Sequence, residues 1–296
     1  MGDLYAFTGA EPSPPPVTRE RPTARPRGYR AAWALGVGVA AASLLTAGCS
    51  SSSSSSASGA TNGSNTSGNL SGTVIVFAAA SLNGAFDKIG GQFEQAHPGV
   101  ALKFNYGGSS SLATSLTQGA KADVFASANT KNMETVQSAD LVSGTPANFA
   151  QNKLEIAVIK GNPMHIGSVS DLSKNGVKVA VCQEDVPCGS YSADVFKKAD
   201  VTVKPVTEET SVTGVVTKVS LGEADAGVVY TTDVKAAGDK VTGVPIPDDL
   251  NVTANYPIAQ LKDAPNAAAA KAFESYVLSP EGQTVLHSYG FLPAGG

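Results

Sequence analysis

Arginine is absent from this 296-residue chain beyond position 30: all five, Arg19, Arg21, Arg25, Arg27 and Arg30, lie in the N-terminal segment. The remainder therefore cannot build a guanidinium clamp, the usual bidentate grip on a carboxylate or phosphate. Charge as a whole is scarce at 16%, and beyond Cys49 it is acidic, with 16 Lys against 22 Asp and Glu and a net charge of −6. An acidic body excludes nucleic acid as a partner, because that recognition needs a basic patch. Histidine is sparse too: His97, His165 and His287 are scattered, and none stands at metal-ligand spacing from a cysteine or carboxylate. No metal cation and no cofactor are expected. A Gly-x-Ser-x-Gly elbow is also missing, since Gly107-Gly108-Ser109-Ser110-Ser111 lacks the second glycine. Nucleophilic catalysis further needs a positioned base, so the chain reads as a binding protein and not an enzyme. A Ser109-dependent surface hydrolase is the rival from another class.

Hydrophobic residues make up 42% of the chain, enough for one large domain or two modest ones. The first apolar run, Ala31 to Ala47, follows a Pro- and Arg-rich start and holds Trp33, the only tryptophan. It is short for a membrane span and is flanked by basic residues before and small ones after, so residues 1–48 read as a signal peptide. The run ends Leu45-Thr46-Ala47-Gly48-Cys49, which resembles a lipobox, where the cysteine is acylated and becomes the new N-terminus. Thr46 departs from the leucine usual at its place. An uncleaved anchor helix is the alternative, and either leaves the body extracytoplasmic and held at the cell membrane. Ser50 to Ser56 are all serine, and the Ala-, Gly-, Asn- and Thr-rich stretch up to Gly72 has almost nothing to bury. Residues 49–72 are thus a lipidated cysteine and a flexible tether. Cys182 and Cys188, six positions apart in an exported chain, either form a disulfide or are two small buried hydrophobes.

From Thr73 onward strand and helix patterns alternate. Thr73–Ala78 is a nearly all-apolar run, as in a strand covered on both faces, and Leu82, Phe86, Ile89 and Phe93 recur at helical spacing. Ala101–Tyr106, Val124–Ala126, Leu154–Ile159, Val177–Val181, Val201–Val206 and Ala226–Tyr230 are further candidate strands. Helices are expected over Ala267–Leu278 and from Ser279 to Tyr289, stopping at Gly290. This pattern predicts an α/β chain with two sheets.

The chemistry lies where strands give way to helices. Ala79-Ala80-Ser81, with Ser81 placed to cap a helix from Leu82, is followed by Gly107-Gly108-Ser109-Ser110-Ser111. Pro187-Cys188-Gly189-Ser190 and Thr210-Ser211-Val212-Thr213-Gly214 look alike. A helix start offers unpaired N–H groups and the positive end of the dipole; serine adds donors without charge, and glycine allows close approach. Each start alone is explained by ordinary capping. Four together, at the carboxyl ends of strands, describe a site for a small anion held by neutral donors. A fully ionised tetrahedral oxyanion accepts at every oxygen and suits such a site. Phosphate keeps a proton near neutral pH and calls for an acceptor, yet no loop apex carries a carboxylate; Glu184, Asp185, Glu208 and Glu209 lie just upstream.

Val76-Phe77-Ala78-Ala79-Ala80-Ser81-Leu82 resembles the opening strand and first ligand loop of the molybdate-binding proteins of ABC transporters. Gly108-Ser109-Ser110-Ser111-Leu112 is similar to their second loop, and Ala122-Asp123-Val124-Phe125-Ala126-Ser127-Ala128 to the strand after it. Val186-Pro187-Cys188-Gly189, Gly227-Val228-Val229-Tyr230 and Tyr289-Gly290-Phe291 extend the resemblance over about residues 73–293. It implies a bilobal periplasmic-binding-protein fold, two α/β lobes joined by two hinge crossovers: lobe 1 over residues 73–153 plus 256–296, lobe 2 over 154–255. It implies a monomer that hands molybdate or tungstate to an ABC permease and ATPase; the alternative is the same fold binding sulfate or another small oxyanion. Carried over by position, Ser81 and Ser109 each give a hydroxyl and an amide, Cys188 and Val212 give amides, and Tyr230 its phenol. Ser110 and Ser211 are secondary candidates, and the triple serine leaves the second loop's register one residue open. Cys188 departs from the alanine common in relatives, but only its amide is required, and a bond to Cys182 stiffens that turn.

Overall fold

In the computed structural model, which describes residues 70–295, the apolar run after the serine stretch forms β1 (Gly72–Ala79). The expected signal peptide, Cys49 and nearly all of the tether lie outside the described residues. β1 has Val74, Val76 and Ala78 fully buried and pairs in parallel with β2 (Val100–Gly107) and β3 (Val124–Ala126). Helix α1 (Asn83–Ala96) buries Phe86, Ile89 and Phe93 at the spacing read from the sequence. Phe86 and Phe93 meet Phe273 edge-on, with ring centroids 6.0 and 5.5 Å apart. Such pairs add about 0.5–1.5 kcal/mol beyond the burial of their area. Helices α2 (Ser109–Thr117) and α3 (Thr130–Ser138) flank β3 in the chain.

The long strand β4 (Ala147–Ile159) overturns the expectation of two sheets. The later strands are β5 (Val179–Cys182), β6 (Thr207–Glu209), β7 (Ala226–Tyr230), β8 (Val241–Pro245) and β9 (Thr253–Gln260). Residues 147–153 of β4 pair antiparallel with β9, whereas residues from Leu154 onward pair antiparallel with β7 and β8. One strand thus serves both groups, and the nine strands form one sheet in the order β2-β1-β3-β9-β4-β7-β5-β6, with β8 also on β4. A second correction concerns Val201–Val206, which is no strand. Pro205 has no N–H for a ladder, Val206 is 55% exposed, and pairing alongside β5 begins only at Thr207.

Between β5 and β6 runs α4 (Pro187–Lys198), and between β6 and β7 runs α5 (Val212–Ser220). Helix α6 (Thr231–Ala237) follows β7 directly, and α7 (Ala267–Leu278) and α8 (Pro280–Tyr289) close the chain. Both ends of α8 obey sequence rules: Ser279 accepts from the Gly282 N–H, Pro280 takes the first position, and Gly290 turns left-handed at φ 98°. No described helix is long and apolar enough to cross a membrane.

Candidate functional site

The ends of β1, β2 and β7 and the starts of α2, α4 and α5 border one small cavity. Ser81 comes from the turn after β1, Ser109 from the β2–α2 corner, and Cys188 and Val212 from the first turns of α4 and α5. Tyr230 is the last residue of β7. All five expected ligand residues are therefore on one surface. Ala79, Ala80, Gly107, Gly108, Ala128, Val186 and Pro187 complete it, and no charged side chain is among the lining residues. Small and lined by neutral groups, it suits a small ion better than an organic cofactor.

The caps expose why these corners offer donors. Gly108, Val186 and Ser211 are the N-caps of α2, α4 and α5, and none closes its helix with a side-chain bond. Ser109, Cys188 and Val212 follow within the first turn, where an N–H has no carbonyl four residues earlier to bond. Ser109 is 1% exposed, and its Oγ accepts from the Ala128 N–H at 3.0 Å, leaving its own hydrogen to donate. Ser81 differs from expectation. A 3-10 turn over Ala80–Leu82 precedes α1, so Ser81 sits inside that turn and does not cap the helix. Its Oγ lies 2.9 Å from Tyr256 Oη instead. Ser110 and Ser211 are not on the cavity surface, and the Ser211 hydroxyl pairs with Thr213 Oγ1 at 3.0 Å.

Among the described residues, two buried side-chain oxygens, Ser110 Oγ and Tyr230 Oη, have no hydrogen-bond partner. Such an orphan costs about 1–3 kcal/mol, so a phenol left unpaired against a cavity marks a surface built for something polar. Burial pushes the Tyr230 phenol well above its ordinary range, and burial does the same to Tyr256. Both keep their hydrogens at neutral pH. One turn beyond Tyr230, burial raises Asp233 to about 7, opposed only by the Tyr230 N–H that donates to it at 3.0 Å.

Two glycines set how close the corners come. A Cβ on Gly108 would run into the Thr210 carbonyl, so the corner of α2 nearly touches the loop ahead of α5. A Cβ on Gly189 would collide with the carbonyls of Cys182 and Gln183. That turn is also tied by a Cys182–Cys188 disulfide with Cα atoms 5.7 Å apart. The sequence reading missed Tyr256 and Ala128 as partners of the two serines. Tyr256 precedes a proline on a strand whose pattern gave no strand signal. Ala128 acts through its backbone, which leaves no mark on residue type.

A family model described as bacterial extracellular solute-binding protein matches residues 74–292. The molybdate-binding protein ModA of Mycobacterium tuberculosis (strain ATCC 25618 / H37Rv) is 46% identical over 219 residues, 74% of this chain and 84% of that protein. Among solved structures, the periplasmic molybdate-binding protein of Azotobacter vinelandii aligns with a TM-score of 0.68 at 20% identity, over 75% of this chain and 100% of its own. The sulfate-binding protein SubI of M. tuberculosis H37Rv aligns with a TM-score of 0.64 at 18% identity, over 75% and 86%. At these identities the structural likeness speaks for fold: the bilobal α/β architecture of periplasmic binding proteins.

Proposed function

Because the chain belongs to the bacterial extracellular solute-binding proteins, matched over residues 74–292, we propose that it captures molybdate, or tungstate in its place, for an ABC importer. One observation carries the choice of ligand class. The small cavity is lined by neutral groups, and the polar ones that reach it from Ser81, Ser109 and Tyr230 can all give a hydrogen. A tetrahedral dianion without protons accepts at every oxygen, and each bond to it is charge-assisted. Ser81 and Ser109 supply hydroxyls and amides, Cys188 and Val212 amides, and Tyr230 its phenol. Ser110 and Ser211 support the loops from behind.

The lobes are assigned to residues 73–153 with 256–296 and to residues 154–255. The switch of β4 from β9 to β7 and β8, between Lys153 and Leu154, supports a hinge there. Opening at that hinge admits the ion, and closing brings both sets of donors onto it. The protein works as a monomer tethered through acylated Cys49, outside the cytoplasm, and delivers to a permease and its ATPase. The M. tuberculosis sulfate-binding relative in fold makes sulfate the competing ligand. Binding to the native state alone stabilises it by about 2.7 kcal/mol at a ligand concentration a hundred times Kd. Thermal melting with molybdate therefore tests the proposal: a concentration-dependent rise in Tm is expected, and a flat Tm up to millimolar molybdate contradicts it.

A further inference from the structure

Tyr256 does not line the cavity, yet its phenol oxygen is 2.9 Å from the hydroxyl of Ser81, which does. Either oxygen could donate in that pair, and the direction decides what Ser81 can offer. A hydroxyl has one hydrogen, so a Ser81 that gave it to Tyr256 would face an anion with lone pairs only.

Burial favours one direction. Tyr256 is 0% exposed, and among the described residues its phenol oxygen has a single hydrogen-bond partner, Ser81 Oγ. A buried O–H left without an acceptor is costly, whereas the Ser81 hydrogen has the cavity to point into. The phenol hydrogen is therefore assigned to Ser81.

We propose that Tyr256 is a positioning residue for the oxyanion site: it donates to Ser81 Oγ and so aims the Ser81 hydrogen into the cavity. The inference rests on the oxyanion reading above. Ser109 follows the same rule with a different partner, the Ala128 N–H, which fills its accepting side at 3.0 Å. The two serines, just beyond the paired ends of β1 and β2, then both present hydrogens to the guest. An oxyanion that keeps a proton finds no matching acceptor there, so the relay also sets selectivity against hydrogen phosphate.

A double-mutant cycle read by titration calorimetry tests this. Tyr256→Phe keeps the ring, which packs edge-on against Phe149, Tyr230 and Phe291, so its Tm should stay near that of the parent. Ser81→Ala should weaken molybdate binding by roughly ten- to a hundredfold and Tyr256→Phe by roughly three- to tenfold. The double variant should match Ser81→Ala within about twofold, because Tyr256 acts through Ser81. Tyr256→Phe should also narrow the preference for molybdate over phosphate, which a merely structural tyrosine would not do. Losses that multiply in the double variant, or molybdate and phosphate falling by the same factor, overturn the proposal while leaving the oxyanion reading in place. A parent protein that binds no molybdate overturns both.

Discussion

Ser109 is the side chain on which single-residue chemistry can be read most directly, since its accepting side is occupied and its hydrogen is free. Ser109→Ala should cost roughly 1–3 kcal/mol of molybdate binding free energy, measured by calorimetry, the usual loss for a hydrogen bond to a charged group. An unchanged affinity in both Ser109→Ala and Ser110→Ala would mean that the second loop has been misassigned. Asp233 offers a test through pH. Its folded value of about 7 stands above the ordinary 3.8, so the folded state holds this proton to higher pH than the unfolded chain does. The stability it contributes is complete below about pH 4 and is lost as pH rises through 7. Asp233→Asn keeps an acceptor for the Tyr230 N–H and removes the titration. Its denaturation free energy relative to the parent should therefore grow between pH 4 and 7 and level off above. A constant difference across that range would show that Asp233 is not perturbed.

The elements deliver these residues through corners, and Gly108 is the tightest of them. Its φ of −62° suits any residue, so an added methyl group meets no backbone strain, only the Thr210 carbonyl across the gap. Gly108→Ala should leave the melting temperature of the ligand-free protein unchanged and lower molybdate affinity at least about tenfold, because overpacking of a closed contact costs roughly 1–3 kcal/mol. A matching fall in the ligand-free Tm would instead place the clash in every state of the protein. Much at this scale was legible in the sequence. The apolar strand at Val74–Ala78, the period of α1 and the Ser279-Pro280 start of α8 follow from burial and capping rules that act locally. β9 was hidden because Pro257 breaks a strand pattern, and the structure accommodates it opposite the register shift between Asn148 and Ala150. The single sheet was hidden because one strand shared by two groups of partners is a matter of pairing, which periodicity does not record. Likewise the four helix starts showed where donors would be, but not that Ser81 would turn to Tyr256.

For the whole molecule, the acidic body and the small neutral cavity belong together: long-range charge does not draw the anion in, and recognition is left to short-range donors. Delivery adds the claim of a membrane tether, which lies in Cys49 and the serines after it. Expressed in a bacterial host, the parent should fractionate with membranes and its Cys49→Ala variant should not acquire a lipid-modified N-terminal peptide, as read by mass spectrometry. Acylation in the variant, or an unmodified parent, would contradict the anchor. The central claim is the guest itself, a fully ionised tetrahedral oxyanion held by neutral donors. Parallel titration calorimetry of the parent with molybdate, tungstate, sulfate and phosphate measures it most directly. Molybdate and tungstate are predicted to bind at one site per chain, tighter than sulfate, with phosphate weakest; sulfate equal to or tighter than molybdate would contradict the account.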